Sequence, residues 1–115
     1  MDDRAKKYLF DIKSSIEEIH EYFEKEPLDF IKYKQNTMLK RAVERDLEII
    51  GEAMNRLLKL DESIVFKISD ARDIVGLRNQ VIHAYDNISD ENIWAIVVNH
   101  LPKLKEQVEK LLDIK

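Results

Sequence analysis

The chain contains no cysteine, which removes disulfides and thiolate metal sites from its chemistry. Two glycines and two prolines in 115 residues leave few turn or hairpin signals, so long helices with short connections are expected. There is no apolar run long enough to span a bilayer and no apolar N-terminal segment for export, so a cytoplasmic location and no membrane partner are the expectation. Nor is there an excess of positive charge. The formal net charge of −4 argues against gripping nucleic acid through bulk charge, while leaving room for a local basic site. Gly-rich phosphate loops, zinc-type ligand spacings and Ser or Cys nucleophile arrangements are missing as well.

What is present is an ordinary globular balance, 44% hydrophobic and 37% charged residues, with enough apolar surface to offset the entropy of folding. The length suits one domain, residues 1–115, around one core. Tyr8, Leu9, Ile12, Ile16, Ile19, Tyr22 and Phe23 recur at three- and four-residue intervals and predict an amphipathic helix over about 3–25, capped by Asp2 or Asp3 and ended by Pro27. Leu28, Phe30, Ile31 and Tyr33 form an apolar patch, either a short helix or an ordered loop. From about 36 to 60 the spacing of Met38, Leu39, Ala42, Val43, Leu47, Ile50, Ala53, Met54, Leu57 and Leu58 predicts a second long helix, with Asn36 or Thr37 as its cap.

The stretch 63–68 alternates weakly, but a lone strand has no partner, so an irregular connection is expected. Ser69, Asp70 and Asp73 should then open a third helix running towards His83. Ser89, Asp90 and Glu91 open a last helix that buries Ile93, Trp94, Ile96, Val97, Leu101, Leu104, Val108, Leu111 and Leu112. Pro102 lies within that pattern and should kink or break it near His100 and Leu101. The sum is an all-α, antiparallel four- to five-helix bundle. Gly51 and Gly76 fall inside predicted helices at a cost of about 1 kcal/mol each relative to alanine, so close backbone approach should compensate, in the core or across a dimer interface.

Charge is unevenly distributed. Lys32, Lys34, Lys40, Arg41 and Arg45 crowd one stretch against Glu44, while acids gather later in the chain; the plain reading is solvated helix faces. Glu17 and His20 have the Glu-x-x-His spacing of di-iron bundles, but no second copy exists, so no metal site is expected there. Among the three histidines, His83 is distinguished by its company. Arg78, Asn79 and Tyr85 supply a fixed cation, an amide and a phenol beside a group that titrates near neutral pH, a set suited to handling phosphate. Five helical steps from Arg78 to His83 turn about 500°, or about 140° net, so the two diverge within one regular helix. A joint site requires either an unwound helix end near Ala84 or a second copy across a two-fold axis.

Arg78-x-x-x-x-His83-x-Tyr85 resembles the signature of the HepT-like toxins, a branch of the HEPN ribonuclease superfamily. Arg41-Ala42-Val43-Glu44-Arg45-Asp46-Leu47-Glu48-Ile49-Ile50-Gly51-Glu52-Ala53, Ile74-Val75-Gly76-Leu77-Arg78-Asn79 and Leu101-Pro102 also read like that family's segments, in its order. The likeness covers most of the chain after residue 36; Ala71 departs from it, where many relatives carry tryptophan, a change expected to alter packing beneath the third helix.

The resemblance implies a HEPN-like homodimer whose paired Arg78 and His83 line a composite cleft. It further implies a toxin of a type II toxin–antitoxin system that cleaves RNA, tRNA or mRNA, without metal or other cofactor and leaves 2′,3′-cyclic phosphate ends. His83 would be the acid or base and Arg78 the phosphate holder; Asn79 and Tyr85 would position substrate. Tyr85 would also receive AMP from an MNT-type nucleotidyltransferase antitoxin, unless that antitoxin silences the toxin by complex formation alone. Lys40, Arg41 and Arg45 then become candidates for an RNA-facing flank. The alternative is a docking subunit beside a nucleotidyltransferase, which would bind phosphate without cutting; an intact triplet with a titratable histidine favours catalysis.

Overall fold

The computed structural model describes residues 1–24, 29–77 and 90–113. Among them every regular element is helical and no strand occurs. None of these helices is long and apolar enough to cross a membrane. Helix α1 (Asp3–Tyr22) starts where the Asp2 side chain accepts the Arg4 amide at 2.7 Å, satisfying a donor that the first helical turn leaves unpaired. Its buried stripe is Ala5, Leu9, Ile12, Ser15, Ile16 and Ile19. The helix ends three residues earlier than its periodicity suggests, and Pro27 lies outside the described residues.

The patch left open between helix and loop is a short helix, α2 (Phe30–Gln35), because Asp29 accepts from the amides of Ile31 and Lys32 at 2.9 and 3.2 Å. Helix α3 (Thr37–Leu60) follows, capped by Asn36 accepting from the Leu39 amide at 3.0 Å. Val43, Leu47, Ile50, Ala53, Met54 and Leu57 form its buried face, which packs against α1. Gly51 is buried within this single chain, so close packing in its own core is sufficient reason for a glycine there.

The connection expected to be irregular is instead a 3-10 turn (Glu62–Phe66). Asp61 fastens its start by accepting from the Ser63 amide at 3.0 Å and hydroxyl at 2.6 Å, and Ile64 and Ile68 anchor it in the core. The expected third helix opens with α4 (Ala71–Val75), and its course from residue 78 towards His83 lies outside the described residues. Asp70 makes no side-chain cap; its carboxylate lies 3.8 Å from His100 and 3.9 Å from Lys103, and the Ser69 hydroxyl accepts from Gln107 at 3.2 Å. The residues expected to cap α4 thus tie it to the last helix. Gly76 stands at the C-terminal cap, outside the helix interior, with its amide bonded to the Asp73 carbonyl at 3.1 Å. Ala71 is 1% exposed, so its methyl group lies in the core.

The last helix is not uniform. Helix α5 (Asp90–Ala95) passes into a π turn (Ile96–His100) and then into α6 (Leu101–Leu111), with Pro102 in the first turn of α6. The expected break near His100 therefore takes the form of a widened turn in which the Leu101 amide reaches the Ile96 carbonyl. That widening relieves the clash proline makes with the carbonyl four residues before it. It also keeps the apolar stripe in phase. Ile93, Val97 and Leu101 are spaced four and four, which would drift about 80° around an α-helix, yet all three are buried. Helix α6 packs on α1, α2 on the first part of α3, and α4 with the 3-10 turn also on α3.

Candidate functional site

Arg78, Asn79, His83 and Tyr85 all lie outside the described residues, as does the question of whether a helix end or a second subunit brings them together. What the structure fixes is the frame on either side of residues 78–89. Leu77, the last described residue before them, is buried and lines a groove of about 230 Å³ with Asp70, Asp73, Ile74, Ile96 and His100. This groove runs between α4 and the π turn. On the far side, Asp90 begins α5, and its carboxylate is 3.4 Å from Lys40 of α3. A second, more exposed pair joins Glu91 to Lys34 at 3.7 Å. Behind both pairs Trp94 packs edge-on against Phe23 at 5.7 Å and leans on Phe30 at 5.8 Å and Tyr33 at 5.3 Å. Such aromatic contacts add about 0.5–1.5 kcal/mol each to the area they bury, so α5 is held by its ring as well as by its charges.

Of the three residues expected to face RNA, Lys40 points into this corner with a quarter of its side chain exposed. Arg45 is exposed and paired with Glu48 at 3.3 Å, and Arg41 is exposed. Arg41 and Arg45 are four residues apart and share a helical face; Lys40 turns away towards Asp90. Glu44 lies near both Lys40 and Asp90, and burial lifts its carboxyl above the usual range against the pull of Lys40. The Tyr33 hydroxyl, fully buried, has no hydrogen-bond partner among the described residues; burial, then the carboxylates of Glu44 and Asp90, push its ionisation up.

One buried ionisable group escapes the sequence argument. Asp46 is 3% exposed between α1 and α3, where it accepts the Tyr22 hydroxyl at 2.7 Å. Burial, and then a shared hydrogen bond with Glu18, push its carboxyl up to about 7, against the opposing effect of Tyr22. The signal was available, since Asp46 stands one residue before Leu47 and three after Val43, in the phase of the buried stripe. Elsewhere, burial and then Lys105 lower the His20 pKa, and Glu17 is engaged by Lys13. Among the described residues no three His, Asp or Glu side chains converge as a metal site.

Comparison with known proteins gives a consistent result. Residues 12–111 match the family model described as ribonuclease HepT-like. A protein named "putative RNase" from Methanocaldococcus jannaschii is 38% identical over 105 residues, covering 91% of this chain and 94% of its own length. One named "probable ribonuclease HepT" from Thermococcus cleftensis is 36% identical, covering 92% and 94%. A "putative RNase" from Caldanaerobacter subterraneus is 36% identical over 85 residues, covering 74% and 72%. No solved structure matches the chain.

Proposed function

The chain belongs to the HepT-like ribonuclease family, and on that footing we propose that it is the ribonuclease toxin of a type II toxin–antitoxin pair, cutting RNA without a metal at a site built from two copies of the chain. The observation that carries this is the complete Arg78-x-x-x-x-His83-x-Tyr85 set within the matched region. The imidazole of His83 takes the proton of the ribose 2′-hydroxyl or gives one to the leaving 5′-oxygen. The Arg78 guanidinium holds the phosphate and the charge that grows on it, two donors matching two oxygens. The 2′-oxygen attacks the adjacent phosphorus and the bond to the 5′-oxygen breaks, which leaves a 2′,3′-cyclic phosphate. Asn79 and Tyr85 orient the substrate.

Regulation follows from the same residues. An adenylyl group on the Tyr85 hydroxyl would place bulk and a negative charge where the RNA phosphate binds, and a nucleotidyltransferase partner is the class of enzyme that makes that transfer. Two described features support a preorganised site, namely the burial of Leu77 before the motif and the fastening of Asp90 after it.

The purified protein is expected to cleave RNA in EDTA with cyclic phosphate products, and His83→Ala to abolish cleavage while the circular dichroism spectrum and oligomeric state stay the same. Full activity in that variant would sink the mechanism. Tight RNA binding without any cleavage by the wild type would favour the docking role.

A further inference from the structure

Lys40 is the most enclosed of the three residues expected to face RNA, and its surroundings argue against an RNA contact. Its ammonium is 3.4 Å from Asp90, and Glu44, one helical turn on, lies near both. A cation flanked by two carboxylates has its charge offset and draws a phosphate less strongly than a free lysine would. The neighbouring aromatic group of Tyr33 and Trp94 keeps water from one side of the cluster, so the attraction between Lys40 and Asp90 is less screened than that of a surface pair. Arg41 and Arg45 lie about 100° and about 140° further round α3 and are exposed, Arg41 within the field of Glu44 and Arg45 paired with Glu48 at 3.3 Å.

The position of Asp90 makes the pair useful. It is the first residue of α5, and in the chain it directly follows residues 78–89, which carry the arginine, histidine and tyrosine of the motif. We propose that Lys40 and Asp90, supported by Glu44, form a clasp that fixes the end of the motif segment against α3, making Lys40 a positioning residue for cleavage rather than an RNA contact. This rests on the ribonuclease reading for its catalytic consequence. The clasp itself rests only on the described geometry. Catalytic groups set about 1 Å out of place lose about a hundredfold in rate, so a loosened clasp should act on turnover. A lost phosphate contact acts differently: it weakens binding and flattens its dependence on salt by about one charge.

The test uses the full chain and a fluorogenic RNA oligonucleotide. Lys40→Met and Asp90→Asn should each lower kcat about ten- to a hundredfold with KM within about twofold and an unchanged salt slope. Lys40→Arg should keep most of kcat, and the reversed pair Lys40→Asp with Asp90→Lys should recover most of what Lys40→Asp alone loses. If Lys40→Met instead raises KM and flattens the salt slope while Asp90→Asn leaves kcat unchanged, Lys40 is an RNA contact and the clasp is overturned. Trp94, the chain's single tryptophan, reports on the clasp without reference to activity. Both single variants should shift its emission to the red and the reversed pair should return it; strictly additive shifts overturn the clasp. Failure of His83→Ala to alter cleavage in the same assay would count against the ribonuclease reading and leave the fluorescence result standing.

Discussion

Replacing Asp46 by asparagine probes the most perturbed acid in the described core. The carboxyl is 3% exposed and its pKa is lifted from 3.8 to about 7, first by burial and then by Glu18. A raised carboxyl pKa means that the folded chain holds a proton that the unfolded chain has already released between those two values. Unfolding then becomes easier as pH rises from about 4 to 7, and the effect levels off above 7 where both states are ionised. Each pKa unit corresponds to about 1.4 kcal/mol, which sets an upper bound of about 4 kcal/mol on the stability lost across the window. The site can relax around the ionised carboxylate, so about 1–3 kcal/mol is expected. Asparagine keeps an acceptor for the Tyr22 hydroxyl and offers its amide to Glu18, but it cannot ionise. Urea unfolding at pH 5, 6, 7 and 8 should therefore show the wild type falling relative to Asp46→Asn with each step up to 7, and the variant being the more stable protein at pH 8. Parallel profiles for the two proteins over that range would refute the reasoning.

Two further substitutions test the frame around the motif. Tyr33→Phe removes a buried hydroxyl with no partner among the described residues, so thermal unfolding should show a change of less than about 1 kcal/mol or a gain; a loss above about 2 kcal/mol would reveal a partner for that hydroxyl. Asn36→Ala should cost about 1 kcal/mol in chemical denaturation by leaving the Leu39 amide without its cap, whereas Asn36→Ser should retain most of the stability.

The long elements were legible because their signals are local. The stripe of α3 can be read from spacing alone, a cap at Asn36 or Thr37 and the interruption before Pro102 from residue type, and the Leu39 amide decides for Asn36. Short elements were less so. Asp29 decides that α2 is a helix with two hydrogen bonds that its neighbours do not announce, and Ser69 and Asp70 look like caps for α4 until α6 arrives beside them. The chemical motif at 78–85 was visible as residue types at fixed spacing. Its surroundings were not. Lys40 and Asp90 are separated by fifty positions, and Trp94 meets Phe23, Phe30 and Tyr33 only after three helices converge. Nothing in a periodicity distinguishes Lys40, turned to an acid, from Arg41, turned to solvent.

The π turn at Ile96–His100 divides one helical rod into two halves with different allegiances, α5 to the aromatic corner and α3, and α6 to α1. The angle at which α5 meets its neighbours is consequently set by residue count. Removing one residue from the turn would step Asp90 and Trp94 about 100° around the rod while Leu104 and Val108 stayed in place, and adding one would step them the other way. The rod behaves as an indexing joint with a few discrete settings. A single insertion or deletion there could re-aim the start of α5, and with it the chain end of the motif, while the packing of α6 on α1 was left as it is.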